Sequence, residues 1–374
     1  MDGVRRVLVL NAGSSSLKHS VLDATTGETI SRADVPWGDA PAQLAALLEA
    51  GIDAVGHRIT HGGQRFLSSA RIDREVRDEL EALVPLDAIH LRRALDAIDA
   101  VTRARPSLPQ VAAFDTSFHA TLPAAAAQYA VPLEWAERYQ IRRHGFHGLS
   151  VDWATSRVAQ VLGRAPRRLV VCHLGSGCSI TAVEAGRSVD TTMGYSPLEG
   201  LVMATRSGSI DAGAVLHLVA ERGLSAREVR ATLTERSGWL GVSGISADLQ
   251  AVMAAADAGH ARARLAVDLF TQSLRRSIGA MAGVLGGVDA IVFTGGVGER
   301  SARVRRAAAT ALPGLVLDDA ASESDAVIST PGSAISALVV HAREDLVVLR
   351  ELLAVTHAPP VTHPGTTHSK GASP

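Results

Sequence analysis

A short apolar run near the N-terminus ends in a small polar loop, in the stretch VLVLNAGSSSLK. The run at 7–10 is too short for a helix and is bounded by turn residues, which predicts a buried strand. Gly13 allows a sharp turn that brings backbone N–H groups close to a ligand. With the hydroxyls of Ser14 and Ser16 and the ammonium of Lys18, this loop suits an anion such as phosphate. The spacing of a Walker A loop is missing, and a plain surface turn explains this stretch equally well.

Two further stretches have the same character. LVVCHLGSGCSITAV repeats the plan of a strand, a glycine-containing turn and a second strand, roughly one domain length further on. IVFTGGVGERS runs from a strand through Gly295, Gly296 and Gly298 into a predicted helix, whose N-terminus can face a nucleotide. Together the three stretches predict a duplicated fold that holds its ligand between the halves.

Composition narrows the class of partner. The 374 residues include 37 basic and 38 acidic ones, so the net charge of −1 gives no electrostatic basis for binding nucleic acid or an anionic membrane. Two cysteines are too few for a disulfide framework or a thiolate metal site. The longest apolar stretch is interrupted by glycine and aspartate, so no transmembrane helix is predicted. We expect a cytoplasmic enzyme that acts on small molecules.

Helical and strand patterns alternate along the chain, which predicts an α/β fold. Helices are predicted over 40–50, 74–84, 90–104, 150–163 and 261–285. Ser150 is the expected N-cap of the fourth helix. Strands are predicted at 55–59, 111–114, 169–173, 179–183 and 290–293. The tail from residue 358 loses periodicity and is predicted to be disordered.

Eight motifs then occur in one order: NAGSSSLK, GHRITHGG, FDTSFH, RRHGFHG, CHLGSGCSITAV, PLEGLVMATRSGSID, SGWLGVSGIS and FTGGVGERSA. With them the chain resembles the acetate kinase family from its first strand to about residue 353. The resemblance implies two duplicated ribonuclease H-like domains of the actin-like ATPase type, with a nucleotide cleft between them. The implied domains are 1–119 with a return at 346–357, and 120–345. The implied activity is reversible, Mg²⁺-dependent phosphoryl transfer from ATP to acetate by a homodimer.

The resemblance also assigns site residues. The implied catalytic residues are Arg58, Asp115, His147 and Arg206. The implied acyl-binding residues are Arg58, Thr60, Leu86, Phe146 and Pro197. The implied nucleotide- and phosphate-binding residues are Asn11, Ser14, Ser16, Lys18, His173, Gly175, Ser176, Gly177, Asp248, Leu249, Gln250, Gly295, Gly296, Val297 and Gly298. Asn11 and Glu344 are the implied Mg²⁺ ligands.

These residue types suit phosphoryl transfer, which needs alignment and charge neutralisation more than covalent chemistry. A guanidinium can hold a carboxylate or phosphate by two parallel hydrogen bonds, and an imidazole such as His147 can donate to the moving group. A carboxylate acceptor is already ionised at neutral pH, whereas a hydroxyl acceptor needs a base. Asp115 can organise the metal or serve as that base, and the pair of arginines favours the carboxylate acceptor.

Other interpretations remain open. Isolated histidines are more often structural, which fits His57, His61, His119 and His173. A zinc site at His57 and His61 is rejected because the glutamate of the zinc helix motif is missing. Rival functions are a kinase for propionate or another short-chain acid, a catalytically weakened nucleotide-binding regulator, and a sugar kinase.

Several positions depart from the family pattern. Asp87 occupies a histidine position, Val151 another, and Arg343 precedes Glu344. Ala204 replaces a glycine. Leu249 and Gln250 replace a phenylalanine and an arginine, which predicts weak recognition of the adenine base. Thr60 replaces a valine, and its hydroxyl is expected either to face the acyl pocket or to bond back to the strand backbone.

Overall fold

The computed structural model describes residues 4–13, 16–318 and 324–357. Ser14 and the tail from residue 358 lie outside the described residues. The strands are β1 Arg6–Ala12, β2 Ser16–Asp23, β3 Thr29–Pro36, β4 Ala54–Ile59, β5 Ala70–Arg71, β6 Gln110–Phe114, β7 Arg168–Leu174, β8 Cys178–Glu184, β9 Arg187–Thr191, β10 Ala290–Thr294, β11 Ala326–Val327 and β12 Ser336–Val339.

The α-helices of the described residues are α1 Ala40–Glu49, α2 Arg74–Leu83, α3 Ala88–Ala104, α4 Ala124–Ala127, α5 Leu133–Arg138, α6 Gly148–Leu162, α7 Ala212–Ala220, α8 Ala226–Glu235, α9 Gly238–Ser243, α10 Leu249–Asp257, α11 Ala261–Leu285, α12 Gly295–Arg300, α13 Ala302–Ala309 and α14 Glu344–His357. Short 3₁₀ helices span Val84–Leu86 and Ser117–Thr121. Within the described ranges, every helix is too short or too polar to cross a membrane.

Two six-stranded sheets share one topology. The first has the order β3-β2-β1-β4-β6-β5, and the second has the order β9-β8-β7-β10-β12-β11. In each sheet the first hairpin is antiparallel, and the three central strands are parallel. The central strands are almost fully buried because helices cover both faces of each sheet. We call the two sheets with their helices the first and second lobes.

Two helices pack across the lobe boundary. α14 comes from the C-terminus but packs on the first sheet, where Val348 and Leu352 are buried against its strands. α6 follows the first sheet in sequence, yet Val151, Ala154 and Val158 are buried against strands of the second. The α14 contact is so close that a Cβ on Gly56 would lie 2.4 Å from Val348 Cγ1. Each lobe therefore completes its core with chain from the other half.

The six predicted strands and five predicted helices all form, with small shifts at their ends. The prediction for Ser150 is wrong, because α6 begins two residues earlier and places Ser150 inside the helix. His147 is the N-cap instead, in a left-handed conformation at φ 60°. Ser150 is fully buried, and its hydroxyl lies 2.8 Å from His173 Nδ1. The sequence cannot separate a capping serine from one that meets a distant histidine.

Candidate active site

A cleft of about 1100 Å³ runs between the lobes, at the carboxyl ends of the parallel strands of both sheets. It gathers most of the residues that the sequence singled out. The predicted site residues on its wall are Asn11, Ser16, Lys18, Arg58, Thr60, Asp115, Phe146, His147, His173, Gly175, Ser176, Gly177, Pro197, Arg206, Asp248, Leu249, Gly295, Gly296, Val297 and Glu344. Ligands commonly bind at this edge in α/β folds.

Three predicted site residues are absent from this wall. Leu86 is half-buried in the 3₁₀ helix beside the acyl end of the cleft. Gln250 is exposed in the first turn of α10, where its backbone N–H donates to the Asp248 carboxylate. Gly298 is buried in α12, and a Cβ there would contact Phe293.

Arg58 links the carboxyl ends of three neighbouring strands in the first lobe. Its Nε and Nη2 donate to the two oxygens of Asp115 at 2.9 and 2.5 Å, a bidentate ion pair. Its Nη1 donates to Asn11 Oδ1 at 2.9 Å, and Glu344 Oε2 lies 3.3 Å from Nε. Parallel pairing of β1, β4 and β6 brings these residues together, and α14 adds the glutamate.

The charges of this cluster shift one another. Burial acts to lower the pKa of Arg58, but the carboxylates of Asp115 and Glu344 outweigh burial and raise it. Burial raises the pKa of Asp115 to about 6, and Glu344 acts in the same direction against the opposing charge of Arg58. Arg58 therefore remains a cation that is largely neutralised by the carboxylates around it.

His147 and His173 form a tilted pair of rings on the opposite wall, with ring centroids 4.1 Å apart and an interplanar angle of 31°. His147 Nδ1 lies 3.0 Å from the Ser179 hydroxyl. Burial lowers the pKa of His147 well below its ordinary value, and the charges of His173 and Arg58 add to this effect. The ring is therefore neutral at pH 7. We assign the tautomer in which Ser179 donates to Nδ1, so that Nε2 carries the proton.

Glycines allow the backbone to approach the His147 ring closely. The Gly148 N–H donates to the Asp115 carbonyl at 2.8 Å, and a Cβ on Gly148 would lie 2.1 Å from that oxygen. A Cβ on Gly177 would lie 3.2 Å from His147 Nε2 and 3.5 Å from Arg206 Nη1. These distances place His147 Nε2, Arg206 and the loop between β7 and β8 around one point.

Arg206 lies in the irregular segment between β9 and α7. Its Nη1 donates to the Pro197 carbonyl at 2.9 Å. Burial lowers the pKa of Arg206, and the charge of Asp87 opposes that effect. Because Asp115 and Glu344 neutralise Arg58 on the other wall, Arg206 is the better placed of the two arginines to hold an incoming anion.

The second lobe presents two glycine turns to the cleft. In the first, the Gly175 N–H bonds to the Gly177 carbonyl at 2.9 Å. In the second, Gly295 begins α12 with a φ of +76°, and its N–H donates to Glu299 Oε1. In the first lobe, by contrast, Lys18 is 61% exposed and lies 3.9 Å from Asp34.

A polar network stands at the acyl end of the cleft. Thr60 Oγ1 donates to Asp87 Oδ2 at 2.7 Å, and His90 Nδ1 lies 2.9 Å from Asp87 Oδ1. All three residues line the cleft together with Phe146 and Pro197. The Thr60 hydroxyl does not bond back to the strand backbone, which was one of the two expected arrangements, because it donates to a carboxylate of the cleft wall 27 residues further along the chain.

Sequence reasoning missed several residues of the cleft wall. His90, Glu299, Arg300 and Trp239 lie there, but none was singled out. Glu299 accepts backbone N–H groups from both Gly295 and Ala342, which ties α12 to the segment before α14. Glu299 and Arg300 stand in the motif FTGGVGERSA and Trp239 stands in SGWLGVSGIS, so these motifs were the available signal.

The geometry agrees with comparisons to known proteins. Residues 41–350 match the model of the Acetokinase family. The chain belongs to the acetokinase family. It is 46% identical to the acetate kinase of Trichormus variabilis over 307 residues. This aligned region covers 80% of this chain and 76% of that protein. The family resemblance drawn from the eight motifs is thus confirmed.

Two solved acetokinase structures share the fold. An acetate kinase from Porphyromonas gingivalis superposes with a TM-score of 0.86 at 32% identity, covering 94% of this chain and 100% of that one. A propionate kinase from Francisella tularensis superposes with a TM-score of 0.87 at 32% identity, covering 93% of this chain and 99% of that one. The predicted two-domain actin-like fold is confirmed. The predicted activity class, phosphoryl transfer to a carboxyl group, is confirmed as that of the family.

The donor set beside Arg58 has the chemistry of a magnesium site. The ligand atoms that Asn11, Asp115 and Glu344 present beside Arg58 are oxygens, at the edge of the cleft where the glycine turns lie. Magnesium prefers oxygen, keeps several waters and often binds one or two carboxylates together with substrate phosphates. Among the described residues, no three His, Cys, Asp or Glu side chains cluster as a complete metal cage. The residues fit an ion that the nucleotide brings with it.

Proposed function

We propose that this protein catalyses reversible phosphoryl transfer from ATP to acetate, giving ADP and acetyl phosphate. The observation that carries the proposal is the meeting of Arg206, His147 and the Gly175–Gly177 turn at one point of the cleft, opposite the Arg58 cluster. Family membership supports the carboxyl acceptor. Phe146 and Pro197 give the acyl end an apolar side, which suits the carbon chain of a short acid.

In this proposal the acceptor needs no general base. An oxygen of the ionised acetate attacks the γ-phosphorus, and the bond to the β–γ bridging oxygen breaks. Arg206 holds the acetate and the equatorial oxygens, because the donors of Arg58 already serve Asp115 and Asn11. A fixed donor beside developing charge can contribute about 3–4 kcal/mol to the barrier.

His147 is the proposed second donor to the moving phosphoryl group. As assigned, its Nε2 proton faces the cleft beside Gly177, while Ser179 fixes the ring through Nδ1. A neutral imidazole can donate without repelling Arg206. His173 and Ser150 support the ring from behind, which makes them positioning residues.

Asn11 and Glu344 are the proposed holders of Mg²⁺, with Asp115 beside them. The ion supplies charge neutralisation to the nucleotide phosphates when bound. Asp115 and Glu344 pair with Arg58 without it, so the cluster is already organised for the ion. The turns at Gly175 and Gly295 are proposed to hold the phosphates through neighbouring backbone N–H groups, because the N–H groups of these two glycines already donate to the Gly177 carbonyl and to Glu299.

Trapping of acyl phosphates as hydroxamates tests this proposal. Acetate, propionate and butyrate are each offered with ATP, GTP or pyrophosphate. Hydroxamate formation from acetate and ATP supports the main proposal, and a preference for a longer acid supports the acyl-kinase alternative. Nucleotide binding without hydroxamate would favour a regulator. Arg222→Ala, at an exposed position of the second lobe, is the control for activity that is lost during purification and assay.

A homodimer is also proposed. α7 is rich in apolar residues yet exposed: Leu216 in this helix is exposed to 66%, and Ile210, just before it, to 46%. Exposed apolar patches of this kind mark interaction sites, and a second copy is the occupant that the family resemblance favours. Leu216→Lys should shift the protein from dimer to monomer in analytical ultracentrifugation. A monomeric wild type would contradict the proposal.

The domain boundaries remain predictions. The first sheet lies within residues 6–114 and the second within 168–339, which supports a division near residue 119. The return to the first domain, expected at 346–357, is supported by the packing of α14, although this helix begins at Glu344. The cytoplasmic location also remains a prediction.

A further inference from the structure

The acyl end of the cleft contains a carboxylate. Thr60 stands two residues beyond Arg58 at the end of β4, and Asp87 precedes α3. The Asp87 side chain is 10% exposed, and its exposed part lines the cleft beside Phe146 and Pro197. This part of the wall therefore combines apolar side chains with one carboxylate.

Asp87 retains acceptor capacity on the cleft side. One oxygen accepts from Thr60 Oγ1 at 2.7 Å, and the other accepts from His90 Nδ1 at 2.9 Å. A carboxylate offers about four acceptor sites, so about two remain for water or a ligand. Thr60 and His90 fix the carboxylate in place, so a ligand must adapt to it.

An acid bound in the cleft turns one end toward this wall. Its carboxylate is attracted to Arg206, which is itself anchored to the Pro197 carbonyl. The substituent on C2 is then the part that faces Asp87, Phe146 and Pro197. A methyl group at that place displaces water from Asp87 without replacing its hydrogen bond, whereas a hydroxyl group replaces it.

We propose that Asp87 determines acyl specificity, by favouring a two-carbon acid with a hydroxyl on C2 over an alkyl acid of the same size. Glycolate and propionate are the matched pair, because each has two heavy atoms beyond the carboxylate. This inference rests on the proposed carboxylate-kinase function. The reaction is unchanged: a glycolate carboxylate oxygen bonds to the γ-phosphorus, ADP departs, and the C2 hydroxyl keeps its proton.

The experiment measures kcat/KM for acetate, glycolate and propionate with ATP, using hydroxylamine to trap the acyl phosphates. We expect the wild type to use glycolate at least about fivefold better than propionate. Asp87→Leu should lower the glycolate-to-propionate ratio by about tenfold or more, because sites built to bond a hydroxyl reject analogues that lack it. A ratio of two substrates cancels a general loss of active enzyme.

Two variants keep the test decisive. Asp87→Asn preserves the shape of the side chain and should lower the ratio by about threefold, even if Asp87→Leu does not fold. Asp96→Asn, at an exposed position of the same helix, should leave the ratio unchanged. Acetate turnover separates the two proposals, because a wild type active on acetate but not selective for glycolate overturns only the role of Asp87.

Three results would overturn the inference. They are a wild type that prefers propionate, a ratio unchanged in both Asp87 variants, and a glycolate product that hydroxylamine does not trap. The last would mean transfer to the C2 hydroxyl. If no acid is phosphorylated, the proposed function fails. Calorimetric binding of glycolate and propionate to wild type and Asp87→Leu then decides the role of Asp87.

Discussion

The first lobe presents Asn11, Arg58 and Asp115 at the ends of its parallel strands, whereas the corresponding strands of the second lobe end near His173 and Thr294. Both lobes share one strand order, and each contributes a glycine turn after its first strand. The side chains of the first lobe are charged and paired with one another. The second lobe offers backbone N–H groups and neutral imidazoles.

This difference shows that the two lobes of one duplicated fold contribute different chemical groups to the same cleft. The first lobe organises charge, with Arg58 held by two carboxylates. The second lobe presents backbone turns, such as the one that begins at Gly295. Its cation, Arg206, comes from the irregular segment after β9. The two lobes therefore share a strand order, and they differ in the side chains that their loops bring to the cleft.

The largest expected effect comes from removing that cation. Arg206→Ala should lower kcat by about 10²–10³, because a lost donor at developing charge costs about 3–4 kcal/mol. Arg206→Lys should recover little, since a point charge cannot reproduce the planar fork of a guanidinium. Hydroxamate formation measures both. Near-normal turnover of the lysine variant would contradict the bidentate role.

The second prediction addresses the turns of the second lobe. Gly295→Ala should destabilise the protein by about 1–3 kcal/mol and raise the KM for ATP, because φ is +76° and a Cβ would lie 2.8 Å from the Leu174 carbonyl. Gly279→Ala is the matched control. It lies within α11 with open space around its Cβ and should stabilise by about 0.5–1 kcal/mol. Urea unfolding and ATP kinetics measure both variants.

The third prediction concerns acid sensitivity in the first lobe. Burial lowers the pKa of His57 to about 4, against a hydrogen bond with Gln110 that raises it. Between pH 6.5 and 4 the unfolded chain binds a proton that the folded chain excludes, so stability falls as the pH falls. The loss approaches about 1.4 kcal/mol per pH unit for each such histidine.

His57→Gln should therefore flatten the dependence of unfolding free energy on pH between 6.5 and 4.5. His217→Gln, at an exposed position of α7, should leave the slope as it is in the wild type. Equal slopes in wild type and His57→Gln would show that His57 titrates normally.

The smallest expected effect concerns the nucleotide base. Leu249 is 3% exposed on the cleft wall, and Gln250 lies outside it, so neither provides the stacking or charge of the residues they replace. A missing aromatic contact is worth about 0.5–1.5 kcal/mol. We expect kcat/KM for ATP and GTP to agree within about tenfold. A hundredfold preference for ATP would point to Arg300, the cation nearest the second glycine turn.

The site residues whose positions could be predicted from the sequence are those that depend on local strand patterns. Arg58 lies near the end of β4 and Asp115 directly follows β6, so parallel pairing of these buried strands brings the two residues to one sheet edge. The residues that it placed poorly depend on packing between distant elements. The sequence predicts Ser150 as a helix cap, but α6 buries it against His173, and no sequence pattern indicates that Thr60 bonds to Asp87, the residue before α3. Side-chain partners of this kind follow from the assembled fold.

The crossing of α6 and α14 has a consequence for synthesis on the ribosome. The first sheet is translated early, yet one of its faces is covered by Val348 and Leu352, which are among the last described residues of the chain. Until these two residues are translated, no apolar side chain covers that face, and Gly56 lacks its contact with Val348. The first lobe therefore cannot complete its core until α14 has been translated.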